Sequence, residues 1–295
     1  MALKYSLSQT ESVWDQVDTQ GLQEHFDVLF TTPASIDKLK QTLLQLAVMG
    51  KLVPQDPNDE PASELLKKIR KEKDRLIAEG KLKKDKPLPP MTDREVSFGL
   101  PPGWEWMRLG DLMAAVTDGD HQAPPKSDTG IPFLVIGNLN SGVVTLENCR
   151  YVPDSYYENL DWIKRPTQGD LLYTVTGSYG IPIKVNTLEK FCVQRHVAIF
   201  KTTQKTPTDY LVSLLNSKYA LEYAASIATG IAQKTVPLTG LRLMPVATPP
   251  EDEQHRIVAK VDELMALCGQ LKAQLIEAGG QQRQLADVMV GRAVA

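Results

Sequence analysis

The sequence predicts an α+β protein, with one mixed α/β domain flanked by helical regions, the C-terminal one a long coiled-coil helix. Three observations predict this. From residue 257 to 289, apolar side chains recur in alternating steps of four and three. Short β-type apolar runs bounded by Gly, Asn and Asp turns occur only between about residues 100 and 250. Ahead of them, two apolar patterns of helical spacing flank a proline-rich break.

Residues 1–35 form an acidic, irregular N-terminal segment with one Lys and five acids. Ser35 is placed to cap a helix starting at Ile36. Ile36, Leu39, Leu43, Leu46 and Ala47 then repeat at helical spacing, and Gly50 ends the run. The prolines of KLVPQDPNDEP forbid continuation. A second helix is expected from about Pro61, with Leu65, Leu66, Ile69, Leu76 and Ile77 as its apolar positions and Gly80 at its end. Lys67, Lys68, Arg70, Lys71, Lys73 and Arg75 surround it, interleaved with Glu64, Glu72 and Asp74. The Lys- and Pro-rich stretch 81–90 has a linker's composition, so the N-terminal helical region is set at 36–86.

The globular domain is set at 96–250. Its predicted strands are Ile131–Ile136, Leu171–Val175, Ile181–Val185 and Val197–Lys201. Residues 207–227 read as one helix, with Tyr210, Leu211, Leu214, Leu215 and Tyr219 on one face. Pro245, Pro249 and Pro250 close the domain, and Glu251, Asp252 and Glu253 suit the first turn of the last helix, 251–295. In that helix the stripe is Ile257, Val261, Leu264, Cys268, Leu271, Leu275, Ala278, Leu285 and Met289, broken at Gln282 and Arg292. This 3.5-residue period is a coiled-coil seam that calls for a helical partner. The rod from Ile257 to Arg292 is roughly 53 Å long, and Gly279-Gly280 is its soft spot.

Composition is ordinary for a soluble protein, and no apolar run is long enough to span a membrane. The N-terminus lacks the pattern of a signal peptide. Cys149, Cys192 and Cys268 form no metal-like pair. These features predict a cytoplasmic protein with reduced thiols. The formal net charge of −3 does not advertise a nucleic-acid binder. It divides as −4 in 1–35, +3 in 36–95 and 0 in 101–250, so any DNA contact must come from local clusters of Lys and Arg.

Enzyme signatures are missing. There is no GxxxxGK[ST] loop, no GxGxxG after a strand and no HExxH, and His25, His121, His196 and His255 are scattered. Adenine methyltransferases stack the flipped base on the aromatic that ends an Asp/Asn/Ser-Pro-Pro-aromatic motif. The Pro-Pro pairs here precede Met91, Gly103, Lys126 and Glu251. Glu79-Gly80-Lys81 lacks the upstream Pro-Asp of a nuclease motif.

Residues 34–73 (ASIDKLKQTLLQLAVMGKLVPQDPNDEPASELLKKIRKEK) resemble the conserved helical region of type I restriction–modification specificity (S) subunits. LPPGWEWMRLGDL (100–112) is similar to the opening of their target recognition domains, and TPPEDEQHRIVAKVDELMALCGQL (248–271) to the closing strand and conserved helix. GDLLYTVTGSYG (169–180), QRHVAIF (194–200) and TGIAQK (229–234) match weaker internal motifs. The family plan has two recognition domains and two helical regions, whereas this sequence holds one recognition domain and looks like a half-length form.

The resemblance implies a non-catalytic DNA-recognition subunit. It implies double-stranded DNA and modification (methyltransferase) subunits as partners, with restriction (ATP-dependent nuclease) subunits as further ones. No cofactor is expected in this chain; S-adenosylmethionine and ATP are expected in the partner subunits. A half-length form recovers the two-domain plan as a homodimer, whose two-fold axis makes the helices antiparallel and the target a bipartite inverted repeat.

Four loops offer the mix of Gly, amide and cationic residues that base and phosphate contact requires. They are 117–126 with His121 and Lys126, 176–180 with Ser178 and Tyr179, 194–196 with Gln194 and Arg195, and 229–234 with Gln233 and Lys234. The last combines Gly, Gln and Lys and also matches a family motif. Ordinary turns and strand entries would use the same residue types. Lys164 and Arg165 offer phosphate contacts, but a solvated pair beside Trp162 is the default reading. The basic helix 64–75 fits a solvated face with i,i+4 ion pairs better than a DNA or partner surface. The competing reading of the whole chain is a coiled-coil interaction module with a protein-binding globular domain.

Overall fold

The computed structural model describes residues 30–294. Most of the acidic N-terminal segment, including His25, lies outside the described residues, as does the side chain of Arg292. In chain order the elements are α1 (Pro33–Val48), α2 (Ala62–Ala78), β1 (Glu105–Arg108), α3 (Leu109–Leu112), β2 (Ala115–Asp118), β3 (Ile131–Leu134), β4 (Arg150–Val152), α4 (Asp154–Asn159), β5 (Leu171–Thr174), β6 (Pro182–Lys184), β7 (Cys192–Val193), β8 (Val197–Lys201), α5 (Thr208–Leu215), α6 (Lys218–Ile227), α7 (Leu238–Leu243), β9 (Pro245–Thr248) and α8 (Glu251–Val294). The α+β class and the long terminal helix agree with the sequence.

The four-stranded antiparallel sheet, ordered β2-β8-β5-β6, divides the globular domain. Its side chains alternate between two cores. Leu171, Tyr173, Ala198 and Phe200 pack towards the helices, whereas Leu172, Val197 and Ile199 pack with Leu134, Ile183 and Phe191. Burial on both faces explains why β5 and β8 read as unbroken apolar runs. A smaller sheet, β4-β3-β7, has one parallel pair, β3 with β7. Strands β1 and β9 form a separate antiparallel pair that joins the two ends of the domain.

The structure departs from the sequence reading in four places. Helix α1 begins at Pro33, three residues before Ile36, because Thr32 is the cap: Ser35 N–H donates to Thr32 Oγ1 and Thr32 N–H to Ser35 Oγ, each at 3.2 Å. Proline suits that first position, where its missing N–H would have no helical partner. Residues 207–227 are two helices, because buried Ser217 caps the second by accepting from Ala220 N–H. Segment 81–90 is strapped down: Arg242 pairs with Asp85, Trp162 donates to the Lys81 carbonyl, and Arg108 to those of Pro89 and Pro90. Arg108 is buried and also binds Glu95 at 2.6 Å, holding that carboxyl at about 2. Finally, α8 runs through Gly279-Gly280 and is 44 residues long, roughly 66 Å.

The partner helix that the seam calls for is supplied first by the same chain. Asp37 of α1 pairs with Lys272 of α8 at 2.7 Å, while Leu44, Ala47 and Val48 share a core with Ile257 and Val261. The two helices are therefore antiparallel. Ile257, Val261 and Cys268 are buried, and Leu264, Leu271 and Leu275 are half-buried. Burial pushes the Cys268 thiol up, against the opposing pull of Lys40. Beyond α1 no described residue covers the helix, and Ile276, Leu285, Val288, Met289 and Val290 are each more than half exposed.

The root of α8 is fixed by Glu253, which is buried. Its carboxylate accepts from Trp104 Nε1 and from Gln55 Nε2, both at 2.8 Å. Burial raises its pKa, and those two hydrogen bonds oppose the rise. Arg256, one turn on, pairs with Asp59 at 2.5 Å. Glu253→Ala leaves Trp104 Nε1 with only its longer bond to Gln55 Oε1 and Gln55 Nε2 with only the Gly50 carbonyl, and is expected to cost about 1–3 kcal/mol. Urea unfolding followed by tryptophan fluorescence measures this; an unchanged midpoint would remove Glu253 from the frame.

Candidate nucleic-acid interface

Strand register puts three of the four candidate loops at one end of the main sheet. Asp118, the last residue of β2, lies opposite Ala198, and Val197, the first residue of β8, lies opposite Thr174, the last of β5. The chain therefore leaves β2 and β5, and enters β8, on the same edge. The fourth loop is laid against the third strand's exit. Thr235 bridges both Thr176 and Thr229, Gly177 N–H donates to the Lys234 carbonyl at 3.1 Å, and Val236 N–H to that of Val175 at 2.8 Å.

The far end of the same strands is locked. Asp170, just before β5, and Lys201, ending β8, are a buried ion pair at 2.5 Å. Asp170 also accepts from Thr167 N–H and Thr202 N–H, so its oxygens are filled. A fully hydrogen-bonded buried pair is rigid, because loss of any member strands a charge. The loops therefore extend from a braced support.

Two glycines set how the loops fit. At Gly119 a Cβ would lie 2.0 Å from the Val193 carbonyl oxygen, so only glycine lets this loop pass against the exit of β7. That approach makes the parallel bridge between Asp120 and Gln194. Gly230 has φ +102°, and its Cβ would meet the Gln233 carbonyl at 2.4 Å. The turn thereby presents Ile231, Gln233 and Lys234 to solvent, Ile231 completely.

His121, Ser178, Arg195, Gln233 and Lys234 are exposed, and Gln194 and Tyr179 half-buried. Gln233 lies over Gly177, with Nε2 at 3.2 Å from where a Cβ would stand, so the 176–180 and 229–235 loops form one surface. His121 pairs with Asp118 at 3.0 Å. Arg195 Nε donates to His196 Nε2 at 3.4 Å. Burial, helped by Arg195, lowers the His196 pKa. Lys126 is exposed but set apart: its neighbour Ser127 is tied to Tyr151 of β4. Arg165 is structural, bonding the Leu160 and Glu158 carbonyls and covering the Tyr157 ring.

Sequence reasoning missed the residues that hold the first loop. Asp120 accepts from the Tyr156 hydroxyl at 3.1 Å and faces Lys164 Nζ at 3.6 Å. Burial pushes the Asp120 carboxyl up, but Tyr156, Lys164 and the N–H groups of His121 and Gln122 outweigh it and the pKa is lowered. The Asp-Gly-Asp run flags a turn, but nothing in the sequence joins it to Tyr156, 36 residues on. Lys164 thus belongs to this edge rather than to a solvated pair. Among the described residues no group of His, Cys, Asp and Glu could hold a metal ion, and no helix is long and apolar enough to cross a membrane.

The braced sheet presents polar loops at one edge, and the last strand of the domain, β9, which pairs with β1 outside that sheet, leads directly into the long helix α8. The chain belongs to the type I restriction–modification specificity family: the family model described as "Type I restriction modification DNA specificity domain" matches residues 101–278. The EcoAI type I restriction enzyme specificity subunit of Escherichia coli is 38% identical over 287 residues, covering 92% of this chain and 47% of that protein. The EcoEI specificity subunit of the same organism is 37% identical over 292 residues, covering 92% and 48%. The chain spans about half the length of the curated relatives it matches.

Two solved structures share the fold. One, from work on complex assembly and conformational transition of the type I R-M system, has a TM-score of 0.53 at 21% identity and covers 88% of this chain and 57% of its own. The other, the HsdS subunit from Thermoanaerobacter tengcongensis, has a TM-score of 0.50 at 20% identity and covers 88% and 56%.

Gly119→Ala is expected to cost about 1–3 kcal/mol by overpacking and to release the Asp120–Gln194 bridge. Urea unfolding and amide exchange at Gln194 test this. Parent-like values for both would show that the close approach is not needed.

Proposed function

We propose that this chain is a non-catalytic specificity subunit that reads one half of a bipartite DNA target with the four loops at the edge of its main sheet. The observation that carries this is their convergence. Segments scattered from 117 to 235 in sequence are bridged into one exposed surface bearing Gln, Arg, Lys and His. Amides and guanidinium groups bond base edges bidentately, and lysines hold phosphates that fix register. Ile231, fully exposed at the tip, suits a thymine methyl group. The family's DNA specificity domain, matched over this region, supports the same reading.

The chain acts with partners. Modification subunits that dock on it supply S-adenosylmethionine and methylate adenine, and restriction subunits supply ATP-driven cleavage. This chain holds no cofactor of its own. Two copies pair through the uncovered end of α8, where the stripe continues past α1 with no partner among the described residues. A two-fold axis makes the paired helices antiparallel and the target an inverted repeat. The length of α8 then sets the separation of the half-sites.

Two experiments test this. The double variant Gln233→Ala, Lys234→Ala, assembled with modification subunits, is expected to lose sequence-specific methylation by at least about tenfold while assembly stays normal. Unchanged methylation would remove this loop from the site. The double variant Leu285→Glu, Met289→Glu is expected to keep the parent's unfolding midpoint and elute at half the parent's mass. A parent-like mass would exclude the end of α8 as the dimer contact.

A further inference from the structure

The basic helix α2 takes no part in the loop site, and apart from exposed Lys71 its basic residues divide into two sets. Lys67 pairs with Glu64, Lys68 with Glu60 and Glu251, and Arg75 with Glu72 and Glu79. The pairs within the helix belong to a solvated face, though only Arg75–Glu79 has the expected i,i+4 spacing, and Lys68–Glu251 reaches the root of α8. Arg70 and Lys73 do otherwise. They turn towards the strap 84–88, Gly110 of α3 and Arg242 of α7, and together line a cleft of about 390 Å³.

The cleft carries an excess of positive charge. Its basic groups are Arg70, Lys73, Lys84, Lys86 and Arg242, against the carboxylates of Asp74, Asp85 and Asp111. Arg242 is engaged by Asp85. Arg70, Lys84 and Lys86 have no ion-pair partner among the described residues. Lys73 is half-buried and donates to the Gly110 carbonyl at 3.2 Å, with no carboxylate in contact. Its burial lowers its pKa, which Asp111 and Asp85 oppose from farther away. An ammonium group on such a floor gains by meeting an anion.

The cleft is also connected to the recognition edge. The strap starts at Lys81, whose carbonyl accepts from Trp162 Nε1. Trp162 and Lys164 lie in one short 3₁₀ turn, and Lys164 faces Asp120 of the first recognition loop. From Lys164 the exposed strap lysines Lys83, Lys84 and Lys86 lead to the cleft. The strap thus carries three exposed lysines between its tie to Trp162 and the cleft.

We propose that this cleft is a phosphate site that holds the backbone of the bound DNA outside the bases being read. Arg70 and Lys84 clamp a phosphodiester from the rim and Lys73 supports it from the floor. The inference rests on the DNA-binding reading above, and its contribution is to affinity and register, not to sequence. Removing one cation from a phosphate lowers the slope of log K against log salt by about 0.9, and it weakens cognate and scrambled duplexes alike.

The test uses the chain assembled with its modification subunits. Duplex affinity is measured across salt for the parent, for Arg70→Ala, Lys84→Ala, and for Lys84→Glu alone, a change on an exposed strap that leaves the fold intact. The double variant is expected to bind about tenfold more weakly at about 0.1 M salt, with a slope smaller by about two and an unchanged ratio between cognate and scrambled duplex. Shortening the duplex on one flank should abolish the difference from the parent. Parent-like affinity and slope would overturn the proposal, as would a loss confined to the cognate duplex. Failure to co-purify with modification subunits would overturn it in favour of a protein-docking cleft. The Gln233→Ala, Lys234→Ala variant, run in parallel, separates the two ideas. Specificity kept there while the cleft variant lowers the slope would sink base reading by that loop and leave the cleft standing; the reverse would sink the cleft alone.

Discussion

The buried carboxylate of Glu253 joins three segments that are far apart in the chain. It accepts from Trp104 at the opening of the globular domain and from Gln55 in the turn between the N-terminal helices, and it stands on the first turn of α8. A buried carboxylate without donors is costly, so the two donors and the acid hold one another in place. The β1–β9 pairing, the Arg256–Asp59 bridge and the hydrogen bond from Ala62 N–H to the Gly103 carbonyl complete the frame around it. The direction in which α8 leaves the domain follows from this knot. That root is a hydrogen-bonded polar network under an apolar core.

The same principle recurs at the recognition edge with a different division of labour. The far end of β5 and β8 is closed by the buried Asp170–Lys201 pair, and the near end opens into loops held by backbone bridges and the Asp120–Tyr156–Lys164 cluster. Rigid support behind exposed polar tips is what the base reading proposed above demands, because side chains that read bases must be held in place by a fixed scaffold. Segment 81–90 shows how a composition can mislead. Proline keeps it extended and lysine keeps it wet, yet its carbonyls are bound by Arg108 and Trp162, because a buried guanidinium needs acceptors wherever it finds them.

Much of the fold was legible. Apolar runs marked β3, β5, β6 and β8, helical periods marked α1, α2 and α8, and the acids of 251–253 marked the start of the rod. The strands that escaped notice, β1, β2, β4 and β7, are two to four residues long and gain their hydrogen bonds only from distant partners. Each candidate loop was visible as a Gly-rich or polar break. Their union was not visible, because register between β2, β8 and β5 is a long-range property. Tyr156 gave no signal, since a tyrosine on a short helix looks the same whether or not a carboxylate waits across the loop.

The heptad stripe shows where the division falls. By itself the sequence determined that residues 257–289 would be a helix with a narrow apolar seam, because 3.5-residue spacing admits no other regular structure. It could not determine what covers the seam, because any apolar helix face satisfies that requirement. Tertiary structure decided this: α1 covers the stretch from Ile257 to about Leu275, fixed antiparallel by Asp37–Lys272 and by Leu44 and Val48 in the shared core. The turns carrying Leu285 and Met289 extend beyond the reach of α1 and stay exposed. The pattern of residues set the helix, and the length of its neighbour set how much of it was left open.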